Sequence, residues 1–138
     1  MISIYRIRRK NTMNKAPAGS AVAVLGASPK EDRYSFKAVH MLKEHGFKPI
    51  PVHPAGHTVD GVAGLKSLTE IKDSVDTLTV YVNATISDAE LQHILDLRPR
   101  RVIFNPGAEN PGLRQKLAGA GIETVEACTL VMLRTDQY

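Results

Sequence analysis

Residues 21–35 read Ala21-Val22-Ala23-Val24-Leu25-Gly26-Ala27-Ser28-Pro29-Lys30-Glu31-Asp32-Arg33-Tyr34-Ser35. The first five form a wholly apolar run without alternation. Such a run suits a strand covered on both faces, as in a parallel sheet. It stops at Gly26, and a loop of small residues leads to a helix expected over residues 35–45. Ala38, Val39 and Leu42 fall on one stripe of that helix, and Gly46 is its expected stop.

The same alternation continues outward. Residues 47–52 form a second strand, which Pro49 and Pro51 demote toward an edge because proline cannot donate to a ladder. Residues 53–64 are glycine-rich and read as a loop or small hairpin. Ser67-Leu68-Thr69-Glu70 has capping-box spacing and opens a short helix. Residues 77–82 (TLTVYV) form a third strand. Ser87-Asp88-Ala89-Glu90 is a second capping box, before Leu91, Ile94 and Leu95 on one helical face. Residues 101–104 (RVIF) form a fourth strand. Asn110-Pro111 suits N-cap and N1 of a helix that turns Leu113, Leu117 and Ala120 to the core and ends at Gly121. Residues 122–126 form a fifth strand, and residues 128–134 close the chain as a helical turn.

Strand alternating with helix implies right-handed crossovers and an α/β three-layer sandwich around a mainly parallel sheet of about five or six strands. Ligands of such sheets bind beyond the carboxyl ends of the strands, where strand order reverses. The loops of interest are therefore 26–35, 53–57, 83–87, 105–110 and 127–129.

At 138 residues the chain suits one domain able to bury a core without disulfides. Its 43% apolar content excludes a disordered protein, and 5% aromatic content speaks against base-stacking or sugar-stacking readers. No apolar run approaches the roughly 18 residues of a membrane span. A lone cysteine asks for no oxidising compartment, so a cytoplasmic location is expected. The formal charge of +4 is a property of the start of the chain: residues 1–20 hold Arg6, Arg8, Arg9, Lys10 and Lys15 and no acid. Residues 21–138 carry 13 basic residues against 14 acids, after those five are taken from 18. Residues 1–18 are expected to be a basic, disordered tail before a domain over residues 19–138. Met13 offers a shorter start, so deletion of residues 1–12 is expected to leave folding and binding intact. A nucleic-acid-binding arm is the competing reading of residues 6–10, and no membrane partner is expected. A protein partner or homo-oligomer stays open.

Small residues at Gly26, Ala27 and Ser28 let backbone amides approach a ligand, and the next helix aims its positive end there. Diphosphate is the expected guest, with Lys30, Arg33 and Lys37 as cations and Ser28 and Ser35 as donors. The competing reading is a plain tight turn with a solvated charged face. A nicotinamide-binding G-x-G-x-x-G is broken at Ser28 and Glu31, and the second strand ends in His53-Pro54 rather than an acid. No G-x-x-x-x-G-K-[ST] occurs.

VAVLGASPKEDRYS, GFKPIPVHP, NPGAEN and EACTLVML together resemble the stand-alone CoA-binding domain proteins, which are similar to the CoA-binding domain of the succinyl-CoA synthetase α subunit. The resemblance spans about residues 20–135. It implies a Rossmann-like fold with coenzyme A, or an acyl-CoA, at the strand ends. It further implies that Gly26, Ala27 and Ser28 hold the diphosphate and that Arg33 and Ser35 contact phosphate oxygens. His53 and Pro54 would flank the adenosine side, Asn83 and Ala84 would line the cleft, and Gly107 and Ala108 the far wall. The chain departs from the family pattern at His53, where Asn is commoner, and around residues 83–86. The related synthetases carry a phosphorylated histidine and a grasp-type nucleotide domain outside this module. A binding or regulatory module without chemistry of its own is expected. The alternative is a small NAD(P)-dependent oxidoreductase or a component of a CoA-transferring enzyme.

Other reactive residues point to less. Cys128, between a strand end and a helix start, is expected to be a small buried residue packed under the sheet; the sharper reading is a thiol facing the CoA sulfur. His53 and His57 are four apart, but Pro54 and Gly56 lie between them, so no helix presents both and no metal is expected. His40, His45 and His93 read as surface positions, and Asp60 and Glu109 as solvated carboxylates.

Overall fold

The computed structural model describes residues 15–138. Five strands, β1 (Ala21–Leu25), β2 (Lys48–Val52), β3 (Val75–Val80), β4 (Arg101–Phe104) and β5 (Glu123–Glu126), form one sheet in the order β2-β1-β3-β4-β5. Every pairing is parallel. Helices α1 (Tyr34–Glu44), α2 (Ala84–Asp88), α3 (Leu91–Leu97), α4 (Pro111–Gly119) and α5 (Thr129–Arg134) follow the strands, with a 3-10 turn at Leu68–Glu70. The fold is the α/β Rossmann-like sandwich expected from the sequence.

The absence of alternation in β1 has a direct structural cause, since all five residues are buried. Ala21, Ala23 and Leu25 join a core shared with Ile94 of α3 and with Leu113 and Leu117 of α4. Val22 and Val24 face the opposite core, with Val39 and Leu42 of α1 and Leu133 of α5. The strand therefore has no polar face to display.

The prolines of β2 fit because β2 is an edge strand. Lys48 N–H donates to Ser20 O at 3.0 Å, and strand periodicity turns residues 50 and 52 to the same side. Pro49 and Pro51 thus place their missing donors on the outer edge. That edge is covered by Leu65, whose N–H donates to Pro51 O and whose carbonyl accepts from His53 N. Beyond β2, Val59 and Val62 exchange both backbone hydrogen bonds around Asp60 and Gly61, forming the small hairpin expected in the glycine-rich loop.

Several boundaries differ from expectation. β3 lies two residues earlier than TLTVYV suggests, because its last pairings are Leu25 with Val80 and Val80 with Phe104; Tyr81 and Val82 then leave the sheet. Ser87 is not a helix cap. Asn83 caps α2 by accepting from Ile86 N at 3.0 Å, and the Ser87 hydroxyl is buried inside the helix. Ser67 caps the 3-10 turn through Thr69 N, while the Glu70 carboxylate accepts from Lys66 N. Ala120 is exposed, since α4 ends at Gly119 and only Leu113 and Leu117 are buried on it. Residues 15 and 16 meet the last residues of the chain. Ala16 N donates to Tyr138 O at 2.9 Å, and Lys15 pairs with Asp136 at 3.2 Å. Residues 1–14 of the expected tail, including the basic stretch 6–10 and Met13, lie outside the described residues.

Candidate functional site

All five strands point the same way, so the loops after β1, β2, β3, β4 and β5 share one edge of the sheet. In the order β2-β1-β3-β4-β5 the connections diverge between β1 and β3, which is where sheets of this order bind ligands. A cleft of about 380 Å³ lies there, lined by Gly26, Ser28, Asp32, Arg33, Tyr34, Ser35 and Tyr81.

Gly26 opens this cleft. It has φ of +89°, and a Cβ at this position would lie 2.7 Å from Val82 Cγ1 and 3.2 Å from the Tyr81 carbonyl carbon. Only glycine fits both the backbone angle and the space.

The donors in the cleft differ from those expected. The amides of Gly26 and Ala27 both donate to Val52 O, at 2.9 and 3.2 Å. The Ser28 amide donates to Ser35 Oγ, and the Lys30 amide to Ser28 Oγ. The small-residue loop thus spends its amides on tying β1, β2 and α1 together. The donors left for a ligand belong to the first turn of α1, where Arg33 is N-cap and makes no side-chain cap bond. Arg33, Lys30 and Lys37 are exposed, and none forms an ion pair with a carboxylate among the described residues. Lys37 Nζ stands 5.6 Å from the Tyr34 ring centroid, so the helix start presents both cationic charge and an aromatic face.

Of the residues picked from sequence, Gly26, Ser28, Arg33 and Ser35 line the cleft. Ala27 is fully buried beneath it, in the core under α1. His53 and Pro54 follow β2 on the same edge; His53 Nδ1 accepts from Ala55 N at 3.0 Å, and Pro54 is exposed. Asn83 is spent as the cap of α2, and the Ala84 carbonyl accepts from Asn110 Nδ2 at 3.3 Å. Gly107 is exposed, with its amide donating to both Glu109 carboxylate oxygens, while Ala108 is buried. These last six share the edge without lining the cleft. The amides of Glu109 and Gly107 hold the Glu109 carboxyl below its ordinary range.

Tyr81 and Asn105, which sequence reasoning missed, and Asn110, read from the sequence only as a helix cap, shape the edge. Tyr81 lines the cleft while its hydroxyl is buried without a hydrogen-bond partner among the described residues, and burial pushes its phenol upward. Asn105 is buried: its Nδ2 donates to Thr79 Oγ1 at 2.7 Å and Val80 O at 3.0 Å, and its Oδ1 accepts from Thr129 N at 2.9 Å. It locks β3, β4 and the start of α5 into one unit. Asn110 caps α4 through Leu113 N and donates to Ser87 Oγ and Asp88 Oδ1, joining α4 to α2. The signal for both asparagines was their place in NPGAEN, polar residues flanking a turn directly after a buried strand.

Cys128 is the N-cap of α5 and is partly exposed, not packed under the sheet. The described residues contain no group of three or more His, Cys, Asp or Glu placed to hold a metal, and no helix long and apolar enough to cross a membrane.

Comparisons with known proteins match this geometry. A family model described as a CoA binding domain matches residues 20–134. A curated relative, the uncharacterized protein YneT of Bacillus subtilis (strain 168), is 33% identical over 60 residues, a match spanning 44% of each chain. A crystal structure of an uncharacterized protein aligns with a TM-score of 0.83 at 41% identity, covering 88% of this chain and all of the other. The structure of cell-free ID.343 from Thermus thermophilus aligns with a TM-score of 0.81 at 27% identity, covering 97% and 98%.

Proposed function

The chain belongs to the CoA binding domain family, and from that premise we propose that it binds coenzyme A or an acyl-CoA in the cleft between β1 and β3. The observation that carries this reading is the start of α1. Its first-turn amides have no capping side chain, and Lys30, Arg33 and Lys37 stand free of carboxylates among the described residues. A diphosphate rewards both features, through the helix dipole and through charge-assisted hydrogen bonds. Ser28 and Ser35 bring hydroxyls to the same wall, which Gly26 also lines. Asp32 also lines the cleft, so the cations must outweigh one acid there.

The Gly26-Ala27-Ser28 loop acts here as a scaffold, and the helix start as the phosphate contact. His53, Pro54, Asn83, Ala84, Gly107 and Ala108 form the outer rim, along which the rest of an extended ligand would lie. The position after β2 carries His53 where a nicotinamide site would place an acid for the ribose hydroxyls. The cleft lining holds no cysteine or histidine. Both facts favour a binding or regulatory module over an oxidoreductase or a transferase component.

The test is a thermal-shift panel of CoA, acetyl-CoA, NAD and NADP with the full chain. A ligand at about 100 times its Kd adds about 2.7 kcal/mol of stability, an easily read shift. CoA and acetyl-CoA are expected to raise Tm and the nicotinamide nucleotides to leave it unchanged. The reverse pattern overturns the reading, and so does turnover of acetyl-CoA by the protein alone.

A further inference from the structure

The Val52 carbonyl that receives the Gly26 and Ala27 amides is followed directly by His53, so the turn 53–57 sits against the first loop of the site. This turn is tightly built. Gly56 N donates to His53 O at 2.7 Å, and Ala55 N donates to His53 Nδ1 at 3.0 Å. A Cβ on Gly64 would fall 2.0 Å from His57 O, so the far strand of the loop presses on His57 backbone to backbone. The Lys66 side chain runs over Gly56, its Cγ 3.1 Å from where a Cβ would be. The His53 and His57 rings lie against each other in a tilted pair, with centroids 4.7 Å apart and planes at 34°.

We propose that this imidazole pair couples capture of an anionic ligand at the carboxyl edge to uptake of a proton, so that the site tightens as pH falls through the imidazole range. The inference rests on the CoA reading of the same edge and adds its regulation. The two rings are not equivalent. With the Ala55 amide donating to Nδ1, neutral His53 carries its hydrogen on Nε2, and a proton on Nδ1 would break that bond. Neither ring nitrogen of His57 makes a hydrogen bond among the described residues, so His57 is the site of uptake and His53 the ring it lies against.

The charged neighbours favour a linked proton. Lys66 lies alongside the turn. On α1, His40 and Lys43 engage Asp60 of the same loop and Glu44 pairs with His40, while beyond the turn the Glu70 carboxylate accepts from Lys66 N, so these carboxylates are committed elsewhere. Asp32 and Arg33 line the adjoining cleft. No carboxylate among the described residues comes within 4.0 Å of His53 or His57. A bound phosphate favours the charged ring, so the proton enters with the ligand and affinity rises as pH falls. One linked proton changes affinity by at most about tenfold per pH unit.

Calorimetry of the full chain with CoA at neutral pH, in two buffers of different ionisation enthalpy, counts the protons taken up. Wild type is expected to take up a fraction of a proton beyond what His57→Gln does. His53→Asn, whose side chain can still accept from Ala55 N, is expected to keep the uptake. In wild type, with no substitution, the His57 ring resonance is expected to titrate at higher pH with CoA bound than without. Equal uptake in wild type and His57→Gln, with an unmoved His57 titration, overturns the proposal while leaving CoA binding intact. Uptake lost in His53→Asn but kept in His57→Gln overturns the assignment to His57. Absence of CoA binding to wild type at every pH overturns the CoA reading, and this inference with it.

Discussion

Gly26 and Val82 meet just beyond the paired ends of β1 and β3, leaving 2.7 Å between a would-be Cβ on the glycine and Val82 Cγ1. With φ at +89° as well, Gly26→Ala faces a backbone penalty of roughly 1–2 kcal/mol and an overpacking penalty of roughly 1–3 kcal/mol. Gly107 is the control. Its φ is +91°, but nothing lies within 4 Å of an added Cβ, so Gly107→Ala carries the backbone penalty alone. Urea denaturation is expected to show Gly26→Ala the less stable by at least about 1 kcal/mol. Equal losses would mean that the switch-point crevice is wider than described.

Arg33 tests the phosphate contact with little risk to the fold. It is exposed and, as N-cap of α1, makes no side-chain cap bond. A hydrogen bond to a charged group is worth about 1.5–3 kcal/mol, so Arg33→Ala is expected to weaken CoA binding by about ten- to hundredfold with Tm unchanged. Calorimetry at fixed salt measures this. Unaltered affinity would take Arg33 out of the site.

The sequence made legible whatever one segment decides for itself. β1 has the expected bounds because an apolar run meets Gly26, and α4 begins at Asn110-Pro111 because cap and first-turn residues are adjacent in the chain. The edge position of β2 was visible in Pro49 and Pro51, since a missing donor has one tolerable place in a sheet. What two distant segments decide together was hidden. The amides of Gly26 and Ala27 looked available, and their acceptor, Val52 O, is fixed only once β2 pairs with β1. Ser87 had the spacing of a cap, but Asn83 was better placed once β3 ended at Val80. Tyr81 read as one more strand residue and became cleft lining for the same reason.

Asn105 carries a larger structural burden than its exposed neighbours Pro106 and Gly107. Asn105→Ala leaves the Thr129 amide, the Thr79 hydroxyl and one bond to the Val80 carbonyl without their partner in a buried site. Each orphaned group costs about 1–3 kcal/mol, although Thr79 and Thr129 still share a hydroxyl bond of 2.8 Å. A loss of about 3 kcal/mol in denaturant is expected. Faster hydrogen exchange at Thr129 is expected with it, because Asn105 Oδ1 is the acceptor of that amide. A loss under about 1 kcal/mol would mean that water replaces the asparagine without cost.

Tyr138 gives the fold an alkaline limit. Its ring lies 5.0 Å from Phe47 and beneath the Arg101 guanidinium, whose carbon is 4.5 Å from the centroid. Its hydroxyl is buried without a partner among the described residues, and burial pushes the phenol up to about 12. In the unfolded chain a tyrosine gives up its proton near pH 10. Above that value the unfolded state binds fewer protons than the folded one, so stability falls with rising pH until the folded phenol also ionises. The contribution is fully present below about pH 10, and its loss has a slope of at most about 1.4 kcal/mol per pH unit. Tyr138→Phe keeps the ring and removes the titrating group. It is expected to match wild type within about 1 kcal/mol at neutral pH, since it deletes an unpaired hydroxyl, and to lose less stability between about pH 10 and 12. Parallel denaturation series across that range decide the matter. Coincident slopes for the two proteins would show that the phenol ionises as readily folded as unfolded, and that the Arg101 charge beside it offsets its burial.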